Sequence, residues 1–143
     1  MKKVSHLIEG KEGNVWRVAP TDSVLTMLKV LAEKNVGALV VMDGDALVGV
    51  ISERDYARKV VLKGKNSTET KVSEIMVEDV LYVTPEHSAE QCMNLMTDRH
   101  IRHLPVVDHG KVIGMISVGD LVKNTLNEQK QTIEQLESYI RGG

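Results

Sequence analysis

The strongest constraint in this 143-residue chain is that part of it occurs twice. Sliding the sequence against itself by 65 positions aligns Val18–Arg58 with Val83–Lys123 without a gap, and 10 of the 41 pairs are identical. The identities include Pro20/Pro85, Ser23/Ser88, Gly49/Gly114, Ser52/Ser117 and Asp55/Asp120. Elsewhere one apolar residue replaces another, as in Leu31/Met96, Val36/Ile101 and Val48/Ile113. The chain therefore holds two copies of one supersecondary unit. A copy of about 45–60 residues makes only a marginal core by itself, so the two are expected to pack about a pseudo-twofold axis.

Each copy reads as helix, hairpin, helix. Val24, Met27, Leu28 and Leu31 recur at helical spacing after Pro20, with Thr21 available as N-cap, and Ala89, Cys92, Met93 and Met96 trace the same stripe in the second copy. Two apolar runs follow in each copy, Ala38–Met42 and Leu47–Ile51, then Leu104–Val107 and Val112–Ile116, broken by Asp43-Gly44-Asp45 and Asp108-His109-Gly110. These are strands apolar on both faces, and helices opening at Ser52 and Ser117 are expected to cover them. The polar stretch Lys63–Lys71 reads as a linker. The expected divisions are a first repeat at 1–66, a second at 67–123, and a helical tail at 124–143. In the tail, Val122, Leu126, Ile133, Leu136 and Ile140 fall on a 4-3 spacing with Gln129 in the sixth place, a narrow amphipathic seam. It either docks on its own domain or contacts another subunit.

Composition narrows the function. The 18 Lys+Arg against 20 Asp+Glu give a formal charge of -2, no basis for nucleic acid or an anionic membrane as partner. Aromatic residues make up 3%, with no Phe and one Trp, so base-stacking platforms are lacking. The apolar runs fall far short of the ~20 residues that span a bilayer, and Met1–His6 leads into no apolar signal core. The single Cys92 cannot form an internal disulfide, so a reducing, cytoplasmic setting is expected.

The chemistry concentrates in Gly49-Val-Ile-Ser52-Glu-Arg-Asp55 and Gly114-Met-Ile-Ser117-Val-Gly-Asp120. With Val4-Ser-His-Leu-Ile8, Val72-Ser-Glu-Ile-Met76 and Arg102-His-Leu-Pro-Val-Val-Asp108, these motifs make residues 4–123 resemble a tandem pair of cystathionine β-synthase (CBS) domains, or Bateman module. The resemblance implies an α/β (α+β) fold of two repeats, each a small, mostly parallel sheet with two helices, plus the C-terminal helix. It also implies homodimers, no catalytic domain, and adenine nucleotides (AMP, ADP, ATP or NAD(H)) held in clefts between the repeats without a metal, reporting energy or redox state to a regulated protein that the sequence does not name. The serine would contact phosphate and the aspartate the ribose. Carried over by position, Ser52 and Asp55 would face Thr84, Ala89, Arg102 and His103, while Ser117 and Asp120 would face Ala19, Val24, Gly37 and Ala38. Val36 and Ile101 would flank adenine.

The copies are unequal. Arg102 and His103 in one correspond to Gly37 and Ala38 in the other. The helix after Ser52 carries Arg54, Arg58 and Lys59, whereas the one after Ser117 carries Val118, Val122 and Lys123. Arginine pairs bidentately with phosphate oxygens, so the Ser52/Asp55 cleft is expected to take the more phosphorylated group. The competing reading is a ligand-free scaffold in which Ser-x-x-Asp only caps helices, since serine with an acid three residues on is close to a capping box. His100 and His103 lack a third ligand, and no Cys/His or Ser/His/Asp pattern or phosphate-binding glycine loop is present, so neither a metal site nor an enzyme is expected. Met76, Met93, Met96 and Met115 read as core filler.

Overall fold

The computed structural model describes residues 2–9 and 15–141. The first half contributes α1 (Val4–Leu7), β1 (Arg17–Val18), α2 (Val24–Lys34), β2 (Ala38–Asp43), β3 (Ala46–Ser52) and α3 (Glu53–Tyr56), which continues as a π-helical turn over Ala57–Val61. The second contributes α4 (Val72–Ile75), α5 (Ala89–Arg99), β4 (His103–Asp108), β5 (Lys111–Ser117) and α6 (Val118–Ile140).

Local chemistry sets the ends of these elements. Ser23, not Thr21, caps α2, its Oγ accepting from Thr26 N–H at 3.1 Å. The equivalent Ser88 caps α5 in a full capping box with Gln91. Ser23 wins because it directly precedes the helix, where its oxygen reaches an otherwise unpaired N–H. Both helices end on a left-handed residue, Asn35 and His100, each at φ 54. The chain then turns sharply into a hairpin. Two-residue loops at Gly44-Asp45 and His109-Gly110 close the hairpins, with φ of +60 at Gly44 and +77 at Gly110.

So short a loop can join only antiparallel strands, which corrects the expectation of mostly parallel sheets. β2 and β3 pair antiparallel, as do β4 and β5. Among the described residues the parallel component is confined to β1 on β2 and to a single Val83–Val106 bridge at the matching place in the second half.

The halves exchange their short leading helices. Val72 and Ile75 of α4 are buried in the first core with Val24, Met27, Leu39 and Ile51. Val4 and Ile8 of the N-terminal segment are buried in the second core with Ala89, Cys92, Leu104 and Ile116. The exchange is reciprocal in its hydrogen bonds: Val4 N–H donates to His87 O at 2.8 Å, and Val72 N–H to Asp22 O at 2.8 Å. A cut of the chain at 66/67 therefore does not divide it in space. The 63–71 stretch is docked rather than a loose tether, with Val24 and Leu25 N–H donating to Thr70 O and Ser67 O. Nor is there a break at 124, because α6 runs unbroken from Val118 to Ile140. Residues 142 and 143 of the expected tail lie outside the described residues.

The motif glycines owe their place to this exchange. A Cβ on Gly49 would lie 2.7 Å from Met76 Sδ and 3.1 Å from Val77 O, because residues after α4 pair along the free edge of β3. At Gly114 the corresponding neighbour is Ile8, whose nearest atom would be 3.4 Å away.

Candidate functional site

The end of β3 and the start of α3 form one wall of a cleft of about 340 Å³. Ser52, Glu53, Arg54, Asp55, Arg58 and Lys59 line it from the first half. His100, Ile101, Arg102 and His103, on the turn from α5 into β4, line it from the second. Asp79, Val80 and Leu81, between α4 and α5, close it. Both repeats therefore contribute side chains to one hollow.

Its polar geometry is built from a cap. Asp55 Oδ2 accepts from Ser52 N–H at 2.9 Å and from Ser52 Oγ at 3.0 Å, while Ser52 Oγ accepts from Asp55 N–H at 3.3 Å. Asp55 Oδ1 is held by Lys59 Nζ at 3.1 Å, and the same ammonium donates to Ile75 O at 2.9 Å. Three of the roughly four lone-pair sites of the Asp55 carboxylate are thus engaged, leaving acceptor capacity on the Lys59 side. Glu53 N–H is taken by Gly37 O at 3.1 Å. With the N–H groups of Glu53 and Asp55 both satisfied, positive charge at the cleft comes mainly from side chains: Arg54, Arg58, Lys59 and Arg102 stand against Glu53, Asp55 and Asp79. The π-helical turn belongs to this wall, since Arg58 and Lys59 sit within it. Such turns often mark functional sites.

His103 lies where the halves meet. A Cβ on Gly37 would be 3.5 Å from its ring. Burial pushes its imidazole below the usual 6.5, Asp120 and Glu53 pull it up, and Arg102 pushes it down further. The side chain is therefore mainly neutral near pH 7. Cys92 is a buried thiol that burial pushes upward, so it stays protonated.

The second motif repeats the cap. Ser117 N–H donates to Asp120 Oδ2 at 2.9 Å, and Asp120 N–H to Ser117 Oγ at 3.1 Å. His103 pairs across the strands with Ser117, as Ala38 does with Ser52.

Of the residues expected around Ser52 and Asp55, Arg54, Ile101, Arg102 and His103 line the cleft. Thr84 and Ala89 do not appear in its lining: Thr84 N–H binds His87 Nδ1 at 3.0 Å, and Ala89 is in the second core. Gly37, expected beside Ser117 and Asp120, lines the Ser52/Asp55 cleft, and a Cβ on it would lie 3.5 Å from His103, the cross-strand partner of Ser117. Val24 and Ala38 are buried, with Val24 in the first core, and Val36 packs against that core. Ala19 N–H is bound by Asp22 Oδ2 at 2.8 Å. The repeat comparison missed Val50, Val77, Asp79, Val80, Leu81 and His100. Residues 77–81 lie just before the aligned block, and only the apolar Val80-Leu81 pair after Ile75 hinted at a wall there. Among the described residues no group of three or more His, Cys, Asp or Glu could hold a metal ion, and no helix is long and apolar enough to cross a membrane.

Comparison with known proteins gives the architecture its lineage. The family model described as CBS domain matches at residues 12–62 and again at 72–127. The chain is 43% identical over 127 residues to the CBS domain-containing protein CBSX3, mitochondrial, of Arabidopsis thaliana, covering 85% of this chain and 62% of that protein, so it spans less than two thirds of that relative. A solved protein with CBS domains from Burkholderia ambifaria superposes at a TM-score of 0.87 with 46% identity, covering 90% of this chain and 96% of that one. The CBS domain pair of MJ0100, solved with 5'-methylthioadenosine and S-adenosyl-L-methionine, shares the fold at a TM-score of 0.78 with 21% identity over 90% of this chain and 98% of its own. The twice-matched model and the two packed halves that exchange their short leading helices lead to one conclusion: this chain belongs to the CBS domain family, as a tandem pair.

Proposed function

We propose that the chain is a non-catalytic regulatory module that holds an adenine nucleotide in the Ser52/Asp55 cleft and reports its presence to a protein partner. The observation that carries this reading is the cleft itself, a hollow of about 340 Å³ walled by both halves, with four cationic side chains around an aspartate. That volume lies at the lower end of what small-molecule sites occupy. The adenosine-bearing ligands of MJ0100 support the ligand class at the level of the fold.

In this reading Asp55 accepts from the ribose diol on its Lys59 side, and Ile101, Val80 and Leu81 supply apolar surface for the base. Arg54, Arg58 and Arg102 take phosphate oxygens, favouring the more phosphorylated nucleotides here over the Ser117/Asp120 side. A bound ligand touches both halves and so favours one relative orientation of them. It shifts that equilibrium only by its difference in affinity for the two arrangements.

A second reading rests on a specific observation: both Ser-x-x-Asp motifs already form complete capping boxes. In that case the motifs stabilise helices and the chain is a scaffold. Thermal melting separates the two. A nucleotide at 100 times its dissociation constant adds about 2.7 kcal/mol, on the order of 5–10 °C at this size. Arg102→Ala, which leaves both caps intact, should remove most of that gain while barely moving the ligand-free melt. If AMP, ADP, ATP and NADH all leave the wild-type melt unmoved, the scaffold reading stands.

A further inference from the structure

The carboxylate at the centre of the cleft has fewer open positions than its place suggests. Asp55 Oδ2 already takes the N–H and the Oγ of Ser52, at 2.9 and 3.0 Å. Oδ1 takes Lys59 Nζ at 3.1 Å, and among the described residues it has no second partner. A carboxylate offers about four lone-pair positions, so one remains, on Oδ1. Lys59 is not a loose surface partner. It stands in the π-helical turn Ala57–Val61, and its ammonium also donates to Ile75 O at 2.9 Å. Ile75 closes α4, where the last carbonyls have no partner inside the helix, so the ammonium is held from two sides. Asp55 itself is 13% exposed, which sets the pair apart from the solvated ion pairs that contribute little. The same place in α6, four residues after Asp120, holds Asn124, whose amide turns to Glu128 Oε1 at 3.5 Å.

We propose that Lys59 is a positioning residue that leaves Asp55 a single acceptor for the sugar, so the cleft grips one hydroxyl of a ribose and not the vicinal pair. The proposal rests on the nucleotide reading of the cleft. Two adjacent hydroxyls would need two open lone pairs on the carboxylate, and Ser52 and Lys59 leave one. Displacing either residue is costly. The Ser52 bonds belong to the capping box that opens α3, and moving Lys59 would strip Ile75 O of its donor. The sugar is therefore read unevenly: the hydroxyl that meets Oδ1 makes a charge-assisted bond, and its neighbour makes none to Asp55.

The test is calorimetric titration of the full chain with ATP, 2'-deoxyATP and 3'-deoxyATP. Wild type should bind one of the two deoxy analogues at least about tenfold more weakly than ATP, the loss of one bond to a charged acceptor, and the other within about threefold of ATP. Lys59→Met keeps the length of the side chain and frees the second lone pair of Oδ1, so both hydroxyls should engage. In that variant the two analogues should weaken together, and the difference between them should shrink to within about threefold. A role confined to stability would lower all three affinities and leave their ratios alone. Wild type that loses about tenfold with both analogues, or with neither, would overturn the proposal while nucleotide binding stood. So would a Lys59→Met chain that keeps the wild-type difference between them. The wild-type comparison decides the single-hydroxyl contact even where the variant folds poorly. Absence of ATP binding by wild type would overturn the nucleotide reading itself, and this proposal with it.

Discussion

At the scale of single residues, His103 carries the sharpest consequence. Its imidazole is held below 6.5 mainly by burial, against the pull of Asp120 and Glu53, so the folded protein takes up this proton less readily than the unfolded chain. The associated stability is complete above about pH 6.5 and is lost as pH falls through that value toward the folded pKa. A phosphate in the cleft works in the opposite direction, favouring the imidazolium. Lowering the pH from about 8 to about 6 should therefore weaken the free fold in urea titrations yet tighten nucleotide binding. In His103→Gln both trends should flatten. Identical pH profiles for the variant and the wild type would show that His103 contributes to neither. Asp55 presents a different balance. It is a helix cap and a Lys59 partner at once, so its replacement mixes a stability loss of about 0.5–2 kcal/mol with any loss of binding. Arg102 is the cleaner probe.

At the scale of elements, the two copies differ in how tightly a crossing segment presses on the hairpin. Gly49 faces Met76 Sδ and the Val77 carbonyl, whereas Gly114 faces only Ile8 at ordinary contact distance. Gly49→Ala should cost about 1–3 kcal/mol of overpacking, and Gly114→Ala should stay within roughly 1 kcal/mol. Urea midpoints measure both, and equal costs would mean that Met76 and Val77 yield freely. Much of this level was legible in the sequence. The helices, the hairpins and the caps at Ser52 and Ser117 followed from periodicity and from a repeat that tied each weak local signal to its twin. The exchange of α1 and α4 was not legible. Short apolar runs such as Val4–Ile8 carry no mark of which core they enter, and that choice is made by burial across the whole chain. The π-helical turn at 57–61 was hidden for the same reason. In the site, Arg102, His103 and Arg54 were anticipated from the inequality of the copies. What the linear repeat could not show is that the Gly37 carbonyl binds Glu53 N–H and that a Cβ on Gly37 would lie 3.5 Å from the His103 ring.

At the scale of the whole molecule, the exchanged helices fasten two modest cores into one cooperative body. Val4, in the first half of the chain, is buried in the second core, and Ile75, in the second half, is buried in the first. Unfolding should be a single transition, with the fluorescence of Trp16 in the first half coinciding with far-ultraviolet circular dichroism of the whole. Val4→Ala should shift both probes together; separate transitions would mean that the halves fold independently. The same coupling gives a ligand at the seam between halves something to act on, because neither half can move without disturbing contacts to the other. The most direct test of this account is calorimetric titration of the full chain with ATP, comparing wild type with Arg102→Ala. A saturable wild-type isotherm, weakened by at least tenfold when this one guanidinium from the second half is removed, is the predicted result. An isotherm unchanged by that substitution, or no heat of binding from ATP, ADP, AMP or NADH, would contradict it.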